Sequence, residues 1–221
     1  MKSLLIFGAG GHGSEVLWLL KNINQVEPRF RVLGFCDDCE TLKGGTFCDL
    51  PIFGTPEELD PQLAEKPYFF AAVGDNCIRK QVVERMEALA WQPVTLIDPS
   101  AVVAESSRIG VGTYVGVASN ISPNAQIGRH AIVHNQSSVG HDTRMQDFSQ
   151  VAPGGRLLGH AQLLEAAYVG SNAVVYPRTT LGASAVLAAC SFALKDIPAN
   201  STAMGVPAKL YIRSQKSQES I

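Results

Sequence analysis

Between Ile97 and Leu187 every sixth residue is aliphatic or methionine. The series runs from Ile97, Val103, Ile109 and Val115 through Met145 and Val151 to Leu181 and Leu187, with no insertion. The residue two before each step is small from Ser107 onward: Ser107, Thr113, Ser119, Ala125 and so on to Thr179 and Ala185. Residues two apart in an extended chain point to the same side. Each six-residue unit therefore sends one large and one small side chain into an interior, which is the hexapeptide β-helix pattern. Three such units close one triangular coil. About five coils stacked at roughly 4.8 Å give a prism on the order of 25 Å tall.

Upstream the pattern changes to short apolar runs separated by helical stretches. Leu4–Phe7 reads as a buried strand that enters Gly8-Ala9-Gly10-Gly11-His12-Gly13 and then a helix from Ser14 to Lys21. Gly8, Gly10 and Gly13 fit the G-x-G-x-x-G spacing, in which glycines allow a tight turn and bring phosphate close to N–H groups at a helix N-terminus. Arg31–Cys36 is a second strand ending at Asp37 and Asp38, where an acid reads a ribose or base in such folds. The run from Glu40 to Pro51 is a loop. Thr55 caps a short helix with Glu58 in capping-box position. Tyr68–Val73 is a third strand, Gly74-Asp75-Asn76 turns into a helix from Ile78 to Ala90, and Pro93–Ile97 leads into the repeats.

The expected fold class is thus a small α/β Rossmann-like β-α-β-α-β domain over residues 1–95, then a parallel β-helix over 96–192. Residues 193–221 are expected to form a cap and tail, the solenoid's open end needing cover, with Ser214–Ile221 polar and frayed.

Composition narrows the function. The chain has 221 residues and a net charge of −2, with basic residues dispersed, so it carries no electrostatic footprint for nucleic acid. No apolar run approaches a membrane span or a signal-peptide core. Five cysteines without a framework spacing point to a reduced, cytoplasmic protein. Cys36-Asp37-Asp38-Cys39 has C-x-x-C spacing but no second such pair, so no metal is expected.

Candidate chemistry centres on His141 and Asp142, which follow Val139 at a coil corner. Gly159 lies one coil above His141 and Pro123 one coil below, and neither fills the space beside an imidazole. A histidine with an adjacent acid is placed for proton transfer, although a surface histidine satisfied by its neighbour fits the same residues. His134 sits one residue past an inward position and should face out from a flat side. His160 lies one coil above Asp142 as a charge partner.

The order of these motifs with Val73-Gly74-Asp75-Asn76, Arg79-Lys80 and Gly205-Val206-Pro207-Ala208 resembles the sugar-nucleotide acetyltransferases of the left-handed β-helix superfamily. The similarity is to the subgroup that acylates 4-amino sugars on UDP or dTDP. It implies a left-handed coil, a homotrimer with its site between subunits, and acetyl-CoA as co-substrate. It implies His141 as general base and Asp142 as its orienting acid. Gly10, Gly11, His12, Asp37, Asp38, Gly74 and His134 would hold the nucleotide sugar, and Gln150, Gly159, Ser171 and Ala189 the acetyl-CoA. Two positions depart from the family pattern: many relatives have Asn near 134 and a second His at 150, where this chain has His134 and Gln150. The residues leave three other readings open: a sialic-acid-type O-acetyltransferase, an NAD-binding protein and a non-catalytic scaffold.

Overall fold

The computed structural model describes residues 1–60, 63 and 65–211. The predicted frayed tail, Ser214–Ile221, lies outside the described residues.

β1 (Lys2–Phe7), α1 (Gly11–Val26), β2 (Phe30–Cys36), the hairpin β3 (Thr46–Phe47) and β4 (Leu50–Pro51), α2 (Pro56–Leu59), β5 (Tyr68–Ala71), α3 (Asn76–Ala88) and β6 (Gln92–Pro93) follow in chain order. The four longer-range strands form a parallel sheet in the order β2-β1-β5-β6. Its strands are nearly continuous apolar runs because both faces are covered, as parallel sheets require. Leu4, Ile6, Phe35 and Phe70 pack toward α1 and the solenoid, whereas Leu5, Phe7 and Phe69 pack toward α3. Thr55 and Glu58 make the expected capping box on α2. The loop expected from Glu40 to Pro51 contains the β3–β4 hairpin, which antiparallel pairing closes at Phe47 and Leu50.

The run expected as one strand from Pro93 to Ile97 is split. Val94 N–H still donates to Phe69 O of the first sheet, whereas Leu96 N–H donates to Thr113 O of the solenoid. The chain changes sheets within two residues because a new hydrogen-bonding partner is available on each side.

From β7 (Leu96–Ile97) the chain winds as a parallel β-helix of two-residue strands, three to a coil. Each strand pairs with the one three strands on, so Tyr114 meets Ile132, Asn120 meets Ser138 and Gln126 meets Arg144. Three sheets of eight, six and five strands form the walls. The six-residue series fills the axis: Val115, Ile121, Val133, Val139, Val151 and Leu187 are completely or almost completely buried, and so are the small Thr113, Ala131, Ala167 and Ala185. After Leu187 the inward positions are Ala193, Ile197 and Ala203. The step shortens to four between the first two, and Ile197 still bridges to Leu181. Thr202–Gly205 then extends the eight-stranded sheet, and Ala208–Leu210 folds back antiparallel on it as the terminal strand.

The eight-stranded wall is covered by the N-terminal domain. Leu96, Tyr114 and Ile132 project from it into the same cluster as Leu17, Leu20 and Phe70. α3 is fastened to the solenoid by polar groups. Asn76 donates to Ala166 O at 2.9 Å, and Lys80 pairs with Glu165 at 2.7 Å. Arg79, 1 % exposed, donates to the carbonyls of Val73, His130 and Phe148 and to the side-chain oxygens of Asn76 and Gln150. Burial pulls Arg79 down to about 10, which leaves it charged at neutral pH.

Two histidines sit in this junction. His130 is stacked between Phe69 and Phe148, and burial pushes it down to about 4 despite Glu87 at 3.5 Å. His134 is likewise held down to about 4 by burial, with His12 adding repulsion. Both are neutral in the folded protein at pH values where an unfolded histidine, with its ordinary value of 6.5, takes a proton. The unfolded chain therefore binds more protons below that value, and stability falls with pH. The melting temperature is expected to be flat above pH 6.5 and to drop steadily from there toward about pH 4. In His130→Gln the drop should be shallower, measured by thermal scans across that range. An equally steep drop would mean that other groups set the acid response.

Candidate active site

The coil repeat builds the corner that carries His141. One residue per turn takes the left-handed conformation, and Asn124, Asp142 and His160 do so in successive coils, with φ of 61°, 56° and 62°. This stacks their side chains. Asp142 Oδ1 accepts from Asn124 Nδ2 at 3.1 Å, and its Oδ2 lies 2.8 Å from His141 Nδ1 and 3.7 Å from His160 Nε2. These hydrogen bonds, the one to His141 foremost, hold the Asp142 carboxyl below its ordinary range. An ionised carboxylate only accepts, so the proton of a neutral His141 is on Nδ1 and the lone pair is on Nε2.

The His141 side chain is 61 % exposed, because the corner breaks the inward parity of its position. The ring lies against Gly159, where a Cβ would come 2.5 Å from Nε2 and displace it. Gly159 is thus what admits the ring, and Nε2 carries a lone pair on a mostly exposed imidazole fixed through its other nitrogen. That is the equipment of a general base.

The N-terminal domain presents a second group. Gly8, at φ 106°, ends β1, where a Cβ would meet Ala72 O. Gly13 lies so close to Gly8 O that only glycine fits. Gly10, Gly11 and Gly74 by contrast border open space. Asp37 receives Ala9 N–H at 2.8 Å and Cys39 N–H at 2.9 Å, which braces the glycine turn. Asp38 is bidentate to Arg85, and Arg85 also grips Glu57. Cys36 is buried and its thiol is pushed up to about 12, first by burial, and Cys39 is exposed; both are free.

His134 is buried rather than facing out. Its outward position lies on the wall that the N-terminal domain covers, a contact that local parity does not register. It packs beside His12 and Tyr114, with ring centroids 5.2 and 5.8 Å away. Gln150 Nε2 is 3.1 Å from His134 Nε2. Gln150 is buried in the same junction, on the eight-stranded wall whose later strands precede Ser171 and Ala189. Its side chain projects from that wall toward Arg79. Glu15, which the sequence did not single out, completes the cluster at 3.2 Å from His12 and 3.9 Å from His134. A motif signal existed: His12 and Glu15 are three apart on the first turn of α1 and share one face.

Ser171 and Ala189 follow strands of the eight-stranded wall and stack one coil apart, whereas Gly159 and His141 follow strands of the six-stranded wall. In one prism the whole six-stranded wall therefore separates His141 from His12, His134 and the glycine turn. Among the described residues two clusters have donor atoms close enough for a divalent ion, His12–Glu15–His134 and His141–Asp142–His160. In each, the carboxylate is already engaged by an imidazole. Among the described residues no helix is long and apolar enough to cross a membrane.

Comparison with known proteins agrees with this arrangement of domains. Residues 3–86 match the family described as PglD N-terminal domain. GDP-perosamine N-acetyltransferase of Escherichia coli O157:H7 is 32 % identical over 96 % of this chain and 97 % of its own. UDP-N-acetylbacillosamine N-acetyltransferase of Bacillus subtilis (strain 168) is 33 % identical over 52 % of this chain and 51 % of its own. Among solved structures, a mutant of perosamine N-acetyltransferase from Caulobacter crescentus in complex with CoA and GDP-perosamine superposes with a TM-score of 0.89 and 27 % identity, covering 96 % of this chain and 98 % of that one. The acetyltransferase domain of PglB from Neisseria gonorrhoeae FA1090, in complex with acetyl coenzyme A, gives 0.85 and 30 %, covering 95 % and 99 %. With full-length similarity of this kind and a left-handed β-helix behind a Rossmann-like domain, the chain belongs to the acetyl-CoA-dependent sugar-nucleotide N-acetyltransferase family.

Proposed function

We propose that this protein transfers the acetyl group of acetyl-CoA to the 4-amino group of a nucleotide-linked 4-amino-4,6-dideoxyhexose, with His141 as general base. The observation that carries this reading is the exposed Nε2 of an Asp142-bound imidazole whose ring packs on Gly159. The amine nitrogen attacks the thioester carbonyl, and the C–N bond forms. His141 Nε2 takes a proton from that nitrogen, and a backbone N–H stabilises the oxyanion. The C–S bond then breaks, and the departing thiolate receives the proton back from His141. No acyl-enzyme is needed.

The acceptor's diphosphate lies over Gly10 and Gly11 at the N-terminus of α1, whose exposed N–H groups favour an anion. Acetyl-CoA runs past Gly159, Ser171 and Ala189, where small side chains admit a pantetheine. The six-stranded wall between the base and the glycine turn favours a homotrimer, in which one subunit's His141 meets the nucleotide domain of the next. The acceptor nucleotides considered are UDP and dTDP, with GDP added because the full-length relative is named for a GDP sugar. The product would enter surface-glycan synthesis.

The test is thiol release from acetyl-CoA with GDP-, UDP- and dTDP-linked 4-amino-4,6-dideoxyhexoses, alongside the same sugars bearing a 4-hydroxyl. Release with at least one amino sugar and none with its hydroxyl counterpart is expected. Release only with the hydroxyl sugars, or with none, would overturn the proposal.

A further inference from the structure

A chain of buried hydrogen bonds runs from Arg79 across the domain junction to the first turn of α1. Its direction is fixed by chemistry. Arg79 has only donors, so Gln150 Oε1, 3.4 Å from Nη1, is the acceptor. The other end of the amide must then be the NH₂, which donates to His134 Nε2 at 3.1 Å. His134 is neutral in this setting, so its proton is on Nδ1. That N–H is buried, has no hydrogen-bond partner, and faces Glu15 Oε2 at 3.9 Å. The side chain of His134 is 10 % exposed. From the opposite side His12 Nδ1 donates to the same Glu15 oxygen at 3.2 Å. Among the described residues nothing else donates to Glu15, and its side chain is 42 % exposed. Two imidazole N–H groups thus converge on one carboxylate that stays partly exposed, four residues after Gly11 on α1.

We infer that Glu15 grips the amino hexose of the acceptor, accepting a charge-assisted hydrogen bond from an N–H or O–H of that sugar. This rests on the proposed function and names a positioning residue for it. A carboxylate is a poor neighbour for a diphosphate and a good one for a group that carries donors and a basic amine. The sugar half of the acceptor has these, and the diphosphate half does not. Glu15 is one turn beyond the glycine turn, on the face directed at the solenoid, which matches the reach of a hexose attached to a diphosphate at the helix N-terminus. His12 and His134 then orient the carboxylate, and Arg79 and Gln150 fix the tautomer of His134.

Glu15→Gln keeps the shape and removes the charge. Calorimetric titration of wild type and Glu15→Gln should compare free GDP and UDP with the same nucleotides linked to a 4-amino-4,6-dideoxyhexose. The variant is expected to bind the productive sugar nucleotide roughly 10-fold more weakly, with free nucleotide unchanged. The KM for acetyl-CoA should stay the same, and the melting temperature should stay close to wild type. Equal affinity for the sugar nucleotide in both proteins, or an equal loss for free nucleotide, would overturn the assignment. A wild type that binds and acetylates none of these sugars would instead remove the proposed function, and this inference with it.

Discussion

His141→Ala is expected to lower kcat by about 10²- to 10⁴-fold while both KM values change little. The size follows from what the imidazole supplies. A protonated amine has no lone pair for attack on a thioester, and the proton must leave during or before bond formation. His141 offers a lone pair on Nε2 because Asp142 holds the proton on Nδ1 at 2.8 Å. Neither neighbouring histidine can take over. His160 faces the same carboxylate from the next coil, and His134 is buried in the junction on the far side of the six-stranded wall. Since the His141 side chain is mostly exposed within one subunit, its removal leaves no cavity in the prism axis and the fold should be unaffected. Steady-state kinetics on a variant with wild-type melting behaviour checks this. Retention of more than about a tenth of kcat would mean that the amine loses its proton elsewhere.

Arg79→Met is expected to be the most damaging single change to the fold. The methionine fills part of the volume but leaves the carbonyls of Val73, His130 and Phe148 without their donor, all at a buried junction. Breaking a buried charged hydrogen-bond network of this kind costs on the order of 3–5 kcal/mol. For a chain of this size that is a fall in Tm on the order of 10 °C. Because α3 is pinned to the solenoid through Arg79, acceptor binding should weaken as well. Arg79→Lys should recover little, since an ammonium cannot span the same fork of acceptors. Thermal melts of both variants measure the effect, and a Tm within a degree or two of wild type for Arg79→Met would contradict it.

The solenoid was legible because a coil of three equal sides leaves no freedom in phase. Val115, Val133, Val151 and Val169 face the axis of the same wall, and a single inserted residue would have scrambled the series. The pairing of His141 with Asp142 and the stacking of Gly159 on it were legible for a related reason: they follow from adjacency at a corner and from the coil period. The junction was not. His134 was expected outside because alternation along a strand tells which face a residue takes, not what covers that face. The burial of Gln150 was not legible on the same ground. Arg79 and Lys80 were noticed as a motif, but the role of Arg79 depended on where α3 docks. A trace of it was present, since Arg79 falls on the same helix stripe as Val82, Val83 and Met86, where an unpaired charge would be costly. Asp37 sits where a ribose-reading acid belongs, yet its two oxygens also hold the backbone of Ala9 and Cys39, a local use that spacing alone does not reveal.

The central claim is that acetyl is delivered to nitrogen. The most direct measurement is mass spectrometry of the product formed from acetyl-CoA and the amino-sugar nucleotide, before and after mild alkali. An amide survives that treatment and an ester does not. A singly acetylated sugar nucleotide is expected, unchanged by alkali and formed at least about 100-fold more slowly when His141→Ala replaces the wild type. An acetyl group removed by alkali, or full product formation by His141→Ala, would contradict it.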